Sequence, residues 1–179
     1  MNIDLLATQG RTKTFGGLAS VDTAKLRQMR DMSLRACFAR MDESRWRMEF
    51  VARIHGKEFI NDAAARSVNA TLYTFDRMAG GIIWIALGGD NAADYSSLRH
   101  LAMRKVRMLI CVGDDNRNLC NTFNNVISTI EEVPSLSDAV MLACYNSMTG
   151  SKVVFSPATR IGMSDEEAGR MFSREVNEL

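Results

Sequence analysis

Short apolar runs alternate with amphipathic segments along most of this 179-residue chain. Ile82–Leu87 and Val106–Val112 are almost wholly apolar, which is typical of strands buried on both faces of a parallel sheet. Each run ends in glycine and aspartate, and a segment with helical spacing of apolar residues follows. Such βα units with short loops predict an α/β fold: a Rossmann-like, mostly parallel sheet with helices on both faces.

A helix and a β-hairpin precede these units. The helix is predicted at 22–41, with an apolar stripe on one side and five basic residues mostly off it. That basic side is either a solvated surface or a docking surface for an acidic partner. The hairpin turns at His55-Gly56, because Glu49–Ile54 alternates and Lys57 starts the return strand. Further helices are predicted at 67–78, 97–103, 116–123, 136–148 and 165–179, and further strands at 82–87, 106–112, near 126–130 and at 152–155.

Ligands of parallel sheets bind at the carboxyl ends of the strands. The predicted ends are Asn61-Asp62, Gly88-Gly89-Asp90, Gly113-Asp114-Asp115 and Ser156-Pro157-Ala158. Asn61 and Asp62 stand before the helix at 67–78 and are expected to cap it by accepting hydrogen bonds from its free N–H groups. Ser135 is expected to cap the helix at 136–148 in the same way.

Composition excludes several classes of function. The formal net charge is +1, so no large field steers the molecule to nucleic acid or to an acidic membrane. No apolar run approaches the roughly 20 residues that span a bilayer. Four separated cysteines indicate reduced thiols in a cytoplasmic protein, and two distant histidines predict no metal site. The segment 10–17 lacks the G-x-x-x-x-G-K-[ST] spacing of a phosphate-binding loop, so no cofactor is predicted.

Several segments together resemble the Mur ligases of bacterial peptidoglycan synthesis, in particular the members that add D-glutamate. The matching segments are 46–51 (WRMEFV), 56–62 (GKEFIND), 68–71 (VNAT), 84–89 (WIALGG) and 153–158 (VVFSPA), with weaker matches at 9–11 and 33–35. The resemblance implies that 46–179 is a Mur-ligase-like C-terminal Rossmann domain and that 1–45 is the end of the central domain. It also implies that the UDP-binding domain and most of the ATPase domain are missing.

The site motifs of that family are altered in this chain. Ala64 and Arg66 stand where the family has lysine and threonine, and Asn91 replaces a substrate-binding lysine. Ile161 replaces the serine that would hold the D-glutamate carboxylate. The G-x-H-N-x-x-N motif is also lost, with Thr12 in place of its histidine. Because an anionic substrate needs cations and hydroxyls at fixed positions, these changes predict a folded pseudoenzyme without catalytic residues.

Three hypotheses follow. The first is a non-catalytic domain that binds a protein partner or forms a homo-oligomer. The second is a domain that binds a nucleotide or small anion through Arg47, Asn61, Asp62, Arg66 and Arg160. The resemblance places Arg47 and Asp62 near the sugar of a nucleotide, although an arginine at a strand entry and an aspartate helix cap are the favoured explanation of these two residues. The third is a fragment that contributes to the D-glutamate ligase reaction.

Overall fold

The computed structural model describes residues 32, 45–146, 148–160 and 162–179. The chain divides into two units, Met1–Ala36 and Cys37–Leu179, and the fold below belongs to the second. The predicted helix at 22–41, apart from Met32, and the segment 10–17 lie outside the described residues, as does Ile161.

Six strands and five α-helices alternate along the described chain. The strands are β1 (Glu49–Ile54), β2 (Lys57–Asn61), β3 (Ile82–Leu87), β4 (Val106–Val112), β5 (Thr129–Val133) and β6 (Lys152–Phe155). The helices are α1 (Val68–Arg77), α2 (Arg99–Lys105), α3 (Arg117–Phe123), α4 (Leu136–Tyr145) and α5 (Asp165–Asn177), and a 3-10 turn over Ser96–Leu98 precedes α2.

The six strands form one sheet in the order β1-β2-β6-β3-β4-β5. β1 and β2 pair antiparallel as the predicted hairpin, and every other neighbouring pair is parallel. The prediction of an α/β fold with a mostly parallel sheet is therefore confirmed. No helix among the described residues is long and apolar enough to cross a bilayer.

Helices cover both faces of the sheet. Ile83 and Ile85 of β3 pack in one core with residues of α4 and α5, including Phe172. Ile82 and Trp84 of the same strand pack in a second core with residues of α1, α2 and α3. Because neighbouring residues of a strand point to opposite faces, the continuous apolar run of β3 fills both cores.

The strand predicted near 126–130 begins later than expected. The N–H groups of Val126 and Ile127 both donate to the carbonyl of Phe123, at 2.8 and 2.9 Å, and so form a turn after α3. Only from Thr129 does the chain pair with β4. The apolar residues at 126 and 127 therefore form a turn and not the predicted strand, because a partly buried turn and a short strand have similar composition.

Helix α4 ends three residues before the predicted boundary. Asn146 has an extended backbone, and its side-chain amide donates to the carbonyls of Leu142 (3.2 Å) and Ala143 (2.6 Å), which closes the last turn. The other end agrees with the prediction, since the Ser135 hydroxyl accepts from the N–H of Asp138 at 3.1 Å.

Candidate functional site

The carboxyl ends of the parallel strands meet at one edge of the sheet, as predicted. Backbone hydrogen bonds join the loops that leave these ends. The N–H of Asp62 donates to the carbonyl of Phe155 at 2.9 Å, and the N–H of Ala158 donates to the carbonyl of Ala65 at 3.0 Å. Farther along the edge, the N–H of Gly89 donates to the carbonyl of Asp115 at 2.7 Å. The loops thus form one connected layer.

Arg47 and Asp62 form an ion pair inside this layer. Arg47 Nη1 lies 2.7 Å from Asp62 Oδ1, and neither side chain is exposed. Arg47 Nη2 also donates to the carbonyl of Ala70 at 3.1 Å. Met48 donates its N–H to the same Asp62 oxygen at 3.2 Å, and the Thr74 hydroxyl donates to Asp62 Oδ2 at 2.6 Å. The pair joins the entry of β1 to the inner side of α1.

Burial has the largest effect on the pKa of Asp62 in this pair. It raises the pKa of the Asp62 carboxyl to about 6, although Arg47 and the hydroxyl of Thr74 pull the pKa downwards. The backbone around Arg47 is also strained: Trp46 and Met48, which flank it, both have positive φ, at 64° and 49°. Such conformations persist where surrounding contacts hold them, as the buried ion pair does here.

Asn61 and Asp62 do not cap α1, so that prediction is wrong. The cap is Ser67, whose hydroxyl accepts from the N–H of Ala70 at 3.2 Å. Asn61 instead donates from Nδ2 to the carbonyl of Gly169 (2.8 Å), which ties β2 to α5. The carboxylate of Asp62 does not serve the first turn of α1, because its oxygens accept from Arg47, Met48 and Thr74 instead.

Arg66 connects two loops of the layer. Its guanidinium donates to the backbone carbonyls of Arg160 and Met163, in the segment after β6. Arg160 itself is exposed. These two arginines, together with Ser67, Asp90 and Asp94, border an open cleft of about 560 Å³ at the carboxyl edge.

Carboxylates balance the arginines around this cleft. Asp90 Oδ2 accepts from the Thr159 hydroxyl at 2.9 Å. Asp94 Oδ1 accepts from the N–H of Ser96 at 3.0 Å, and hydrogen bonds from Ser96 hold the pKa of Asp94 below its ordinary value. The cleft therefore has mixed charge, unlike a site built for a dianion alone.

Asn91, where the resemblance expects a lysine, also bonds within the protein. Its Nδ2 donates to Asp115 Oδ2 at 2.8 Å. Asp115 forms an ion pair with Arg117, and hydrogen bonds from Arg117 and then Asn91 hold the pKa of Asp115 well below its usual range. Among the described residues, no group of three His, Cys, Asp or Glu side chains could hold a metal ion.

The sequence analysis missed a buried polar cluster beside the ion pair. The hydroxyls of Thr71 and Ser156 lie 2.8 Å apart, and the indole Nε1 of Trp84 donates to the carbonyl of Ser156 at 2.8 Å. Thr71 and Thr74 lie on the buried side of α1. Two threonines three positions apart on the apolar side of a helix were the available signal, since buried hydroxyls need partners.

Comparisons with known proteins find relatives over nearly the whole chain. No family model matches the chain. The chain is 33% identical over 177 residues to a UDP-N-acetylmuramoylalanine--D-glutamate ligase of Christiangramia forsetii, with 97% of this chain and 40% of the relative covered. It is 32% identical over 182 residues to the ligase of the same name from Porphyromonas gingivalis, with 100% and 40% covered. The chain thus spans about 40% of the length of these relatives.

A solved structure has the same fold. A murein peptide ligase of Psychrobacter arcticus superposes with a TM-score of 0.52 at 15% identity, covering 75% of this chain and 30% of that one. At this identity the likeness supports the fold alone, and the sequence relatives carry the link to the ligases.

Proposed function

Because this chain is related to the Mur ligases and matches their C-terminal domain, we propose that it is a non-catalytic domain of this kind that acts by binding another protein. Its place would be the bacterial cytoplasm, where it would bind a different protein or a second copy of itself. The relatives are named for joining UDP-N-acetylmuramoylalanine to D-glutamate. In our proposal this chain keeps their scaffold and has lost their acidic amino-acid site.

One observation carries the proposal: the polar groups at the carboxyl edge bond to one another. Arg47 and Asp62 have no exposed side-chain surface. The guanidinium of Arg66 donates to two backbone carbonyls, and the amide of Asn91 donates to Asp115. A carboxylate ligand would have to replace these bonds, and one that took Arg47 would leave the buried Asp62 carboxyl unpaired, at a cost of about 3–5 kcal/mol.

The substitutions support the same conclusion. Ala64 and Asn91 carry no charge where the resemblance expects lysines, so the site lacks two cations for the carboxylates of D-glutamate. The loop beside Asn91 is closely packed, since a Cβ added at Gly88 would lie 2.1 Å from Asn116 Oδ1. Change at the site together with an intact core fits a folded protein that no longer needs the substrate.

The test is a restoration experiment with D-glutamate. The wild-type chain is compared with a variant that restores the four family residues, Ala64→Lys, Arg66→Thr, Asn91→Lys and Ile161→Ser. Arg66→Thr alone is the control for loss of the arginine's bonds. Binding of millimolar D-glutamate is measured by calorimetry, and D-alanine is the matched ligand with one carboxylate.

We expect no heat of D-glutamate binding for the wild type and saturable binding for the restored variant. If the wild type binds D-glutamate as tightly as the ligase of Porphyromonas gingivalis does, the acidic amino-acid site has not been lost and the proposal is wrong. Sedimentation across a range of concentrations then separates the two kinds of partner, since only self-association raises the sedimentation coefficient of the purified chain.

The cleft favours a second candidate, the binding of a small anion or nucleotide beside Arg66 and Arg160. The exposure of Arg160 supports it, whereas Asp90 and Asp94 oppose it by repelling an anion. Thermal denaturation with ATP, UDP and inorganic phosphate tests this candidate, and an Arg160→Gln variant should abolish any stabilisation.

A third candidate follows from the match to 40% of the ligases: the chain contributes to D-glutamate ligase turnover together with a separate ATPase chain. Turnover that requires both chains would support it. The neutral residues at 64 and 91 are the reason for ranking it below the binding role.

A further inference from the structure

A basic surface lies away from the candidate site, on the outer side of α2 and the start of β4. We call Arg99, His100, Met103, Arg104 and Arg107 the basic patch, and all five are exposed. Met103 is 62% exposed, which is unusual for a large apolar side chain. The patch therefore combines a cationic border with one apolar contact point.

Helical spacing brings the members of the patch together. His100 lies three residues before Met103 and four before Arg104, so the three side chains share one side of α2. Leu98 and Ala102 are fully buried and fix the opposite side of this segment against the core. Arg107 is the one exposed residue of β4, which starts directly after the helix.

The arginines of the patch lack carboxylate partners. Among the described residues, Arg99, Arg104 and Arg107 form no ion pair, and Arg99 donates to the carbonyl of Thr122. Four other exposed arginines of the described surface pair with carboxylates; these are Arg53 with Glu58, Arg117 with Asp115, Arg170 with Glu166 and Arg174 with Glu175. The basic patch instead groups, within the nine consecutive residues 99–107, three exposed arginines without such a pair in the described part of the chain.

The surrounding chain adds to the positive potential. Residues 95–113 contain Arg99, Arg104, Lys105 and Arg107 and no Asp or Glu. Lys105 Nζ donates to three carbonyls at the end of α1, at 2.6, 2.9 and 2.9 Å, and so offsets the negative end of that helix dipole. An approaching anionic surface therefore meets cations without a compensating negative group nearby in this segment.

We propose that the basic patch docks an acidic segment of a partner protein, with an apolar side chain of that segment resting on Met103. This inference rests on the proposed binding role and adds the surface and the chemistry of the partner. Charge complementarity selects an acidic partner. A protein segment fits better than a nucleic acid, because the patch contains no Phe, Tyr or Trp side chain on which a base could stack.

Two labelled peptides test the proposal by fluorescence anisotropy at low salt. One repeats Glu-Glu-Leu and the other repeats Glu-Glu-Ser, so they have equal charge and differ in apolar content. We expect the leucine peptide to bind several-fold more tightly to the full chain. A Met103→Gln variant should remove that difference and leave the binding of the serine peptide unchanged.

The charge contribution is tested with two double variants. Arg104→Gln/Arg107→Gln should raise the dissociation constants of both peptides by about fivefold to tenfold, as expected for the loss of two exposed ion pairs at low salt. Arg170→Gln/Arg174→Gln removes the same charge from α5, on the other face of the sheet, and should change peptide binding much less. Circular dichroism melting of each variant establishes that it is folded.

Three results would overturn the inference. If the two double variants weakened peptide binding equally, the net charge of the protein and not the basic patch would determine the affinity. Equal affinity for the leucine and serine peptides would remove the role of Met103. Tighter binding of an oligothymidylate than of either peptide would make the patch a nucleic-acid surface. Each of these leaves the D-glutamate result, and so the non-catalytic proposal, untouched.

Discussion

Replacement of Arg47 by methionine tests whether this residue serves the fold. Methionine retains much of the apolar stem but leaves the Asp62 carboxyl buried without its ion-pair partner. Removal of one member of a buried pair typically costs about 3–5 kcal/mol. We therefore expect the free energy of unfolding at neutral pH to fall by about 3–5 kcal/mol.

The loss should also depend on pH. In the wild type, burial raises the pKa of Asp62 from 3.8 to about 6, so between these values the native state binds more protons than the unfolded state. The contribution of Asp62 to stability is thus fully present below pH 4 and declines as pH rises through 6, by about 3 kcal/mol at about 1.4 kcal/mol per pH unit. Without Arg47 the pKa rises further, so the decline continues above pH 6.

Urea unfolding followed by the fluorescence of Trp46 and Trp84, both buried, measures these effects. The difference between the wild type and Arg47→Met should grow by about 1 kcal/mol or more from about pH 5 to about pH 8. Arg53→Met, which removes an exposed ion pair with Glu58, is the matched control and should show little change. An Arg47→Met loss that is independent of pH would refute the assigned coupling to Asp62.

Three further substitutions follow from single contacts. Gly169→Ala should cost about 2 kcal/mol by overpacking, because the added Cβ would lie 2.5 Å from Trp46 Cδ2; a normal melting temperature would show that the indole can move. Lys57→Met should lower stability by about 2 kcal/mol in urea unfolding, because the Cys144 carbonyl, which Lys57 Nζ approaches to 2.7 Å, loses its donor. Ser67→Ala should cost about 1 kcal/mol through loss of the α1 cap, whereas Ser67→Gly should cost only a few tenths, and equal losses would contradict the capping role.

Elements with strong patterns were predictable from the sequence. β3 and β4 appear at the expected residues because long, almost wholly apolar runs that end at a glycine leave few alternatives to buried strands. The order of helices and strands and the position of the strand ends followed from the same periodicity. Errors were confined to boundaries such as β5, where a buried turn imitates a strand.

The candidate site was predictable in position and much less so in bonding. The sequence identified Arg47, Asn61 and Asp62 as notable residues but assigned a helix cap to the last two. Arg47 and Thr74, which bond to Asp62, lie 15 residues before it and 12 residues after it. Asn61 accepts locally from the N–H of Ala63, but its amide donates to Gly169 and Ser173, more than 100 residues away. No local pattern encodes such contacts, because the folding of the sheet and helices brings them together.

The sequence by itself determined the alternation of strands and helices, the two-sided core and the residues at 64, 66, 91 and 161, which differ from those that the resemblance leads us to expect. Periodicity is a local property, and it survives in any sequence that must bury the same faces. Only the tertiary structure decided that Arg47 neutralises Asp62 inside the protein, that Arg66 donates to carbonyls of a distant loop, and that the arginines of the basic patch have no carboxylate partner within the described residues. The sequence specifies which side chains are charged. Whether a charged side chain pairs within the protein or stays available to a partner depends on which groups the fold places next to it.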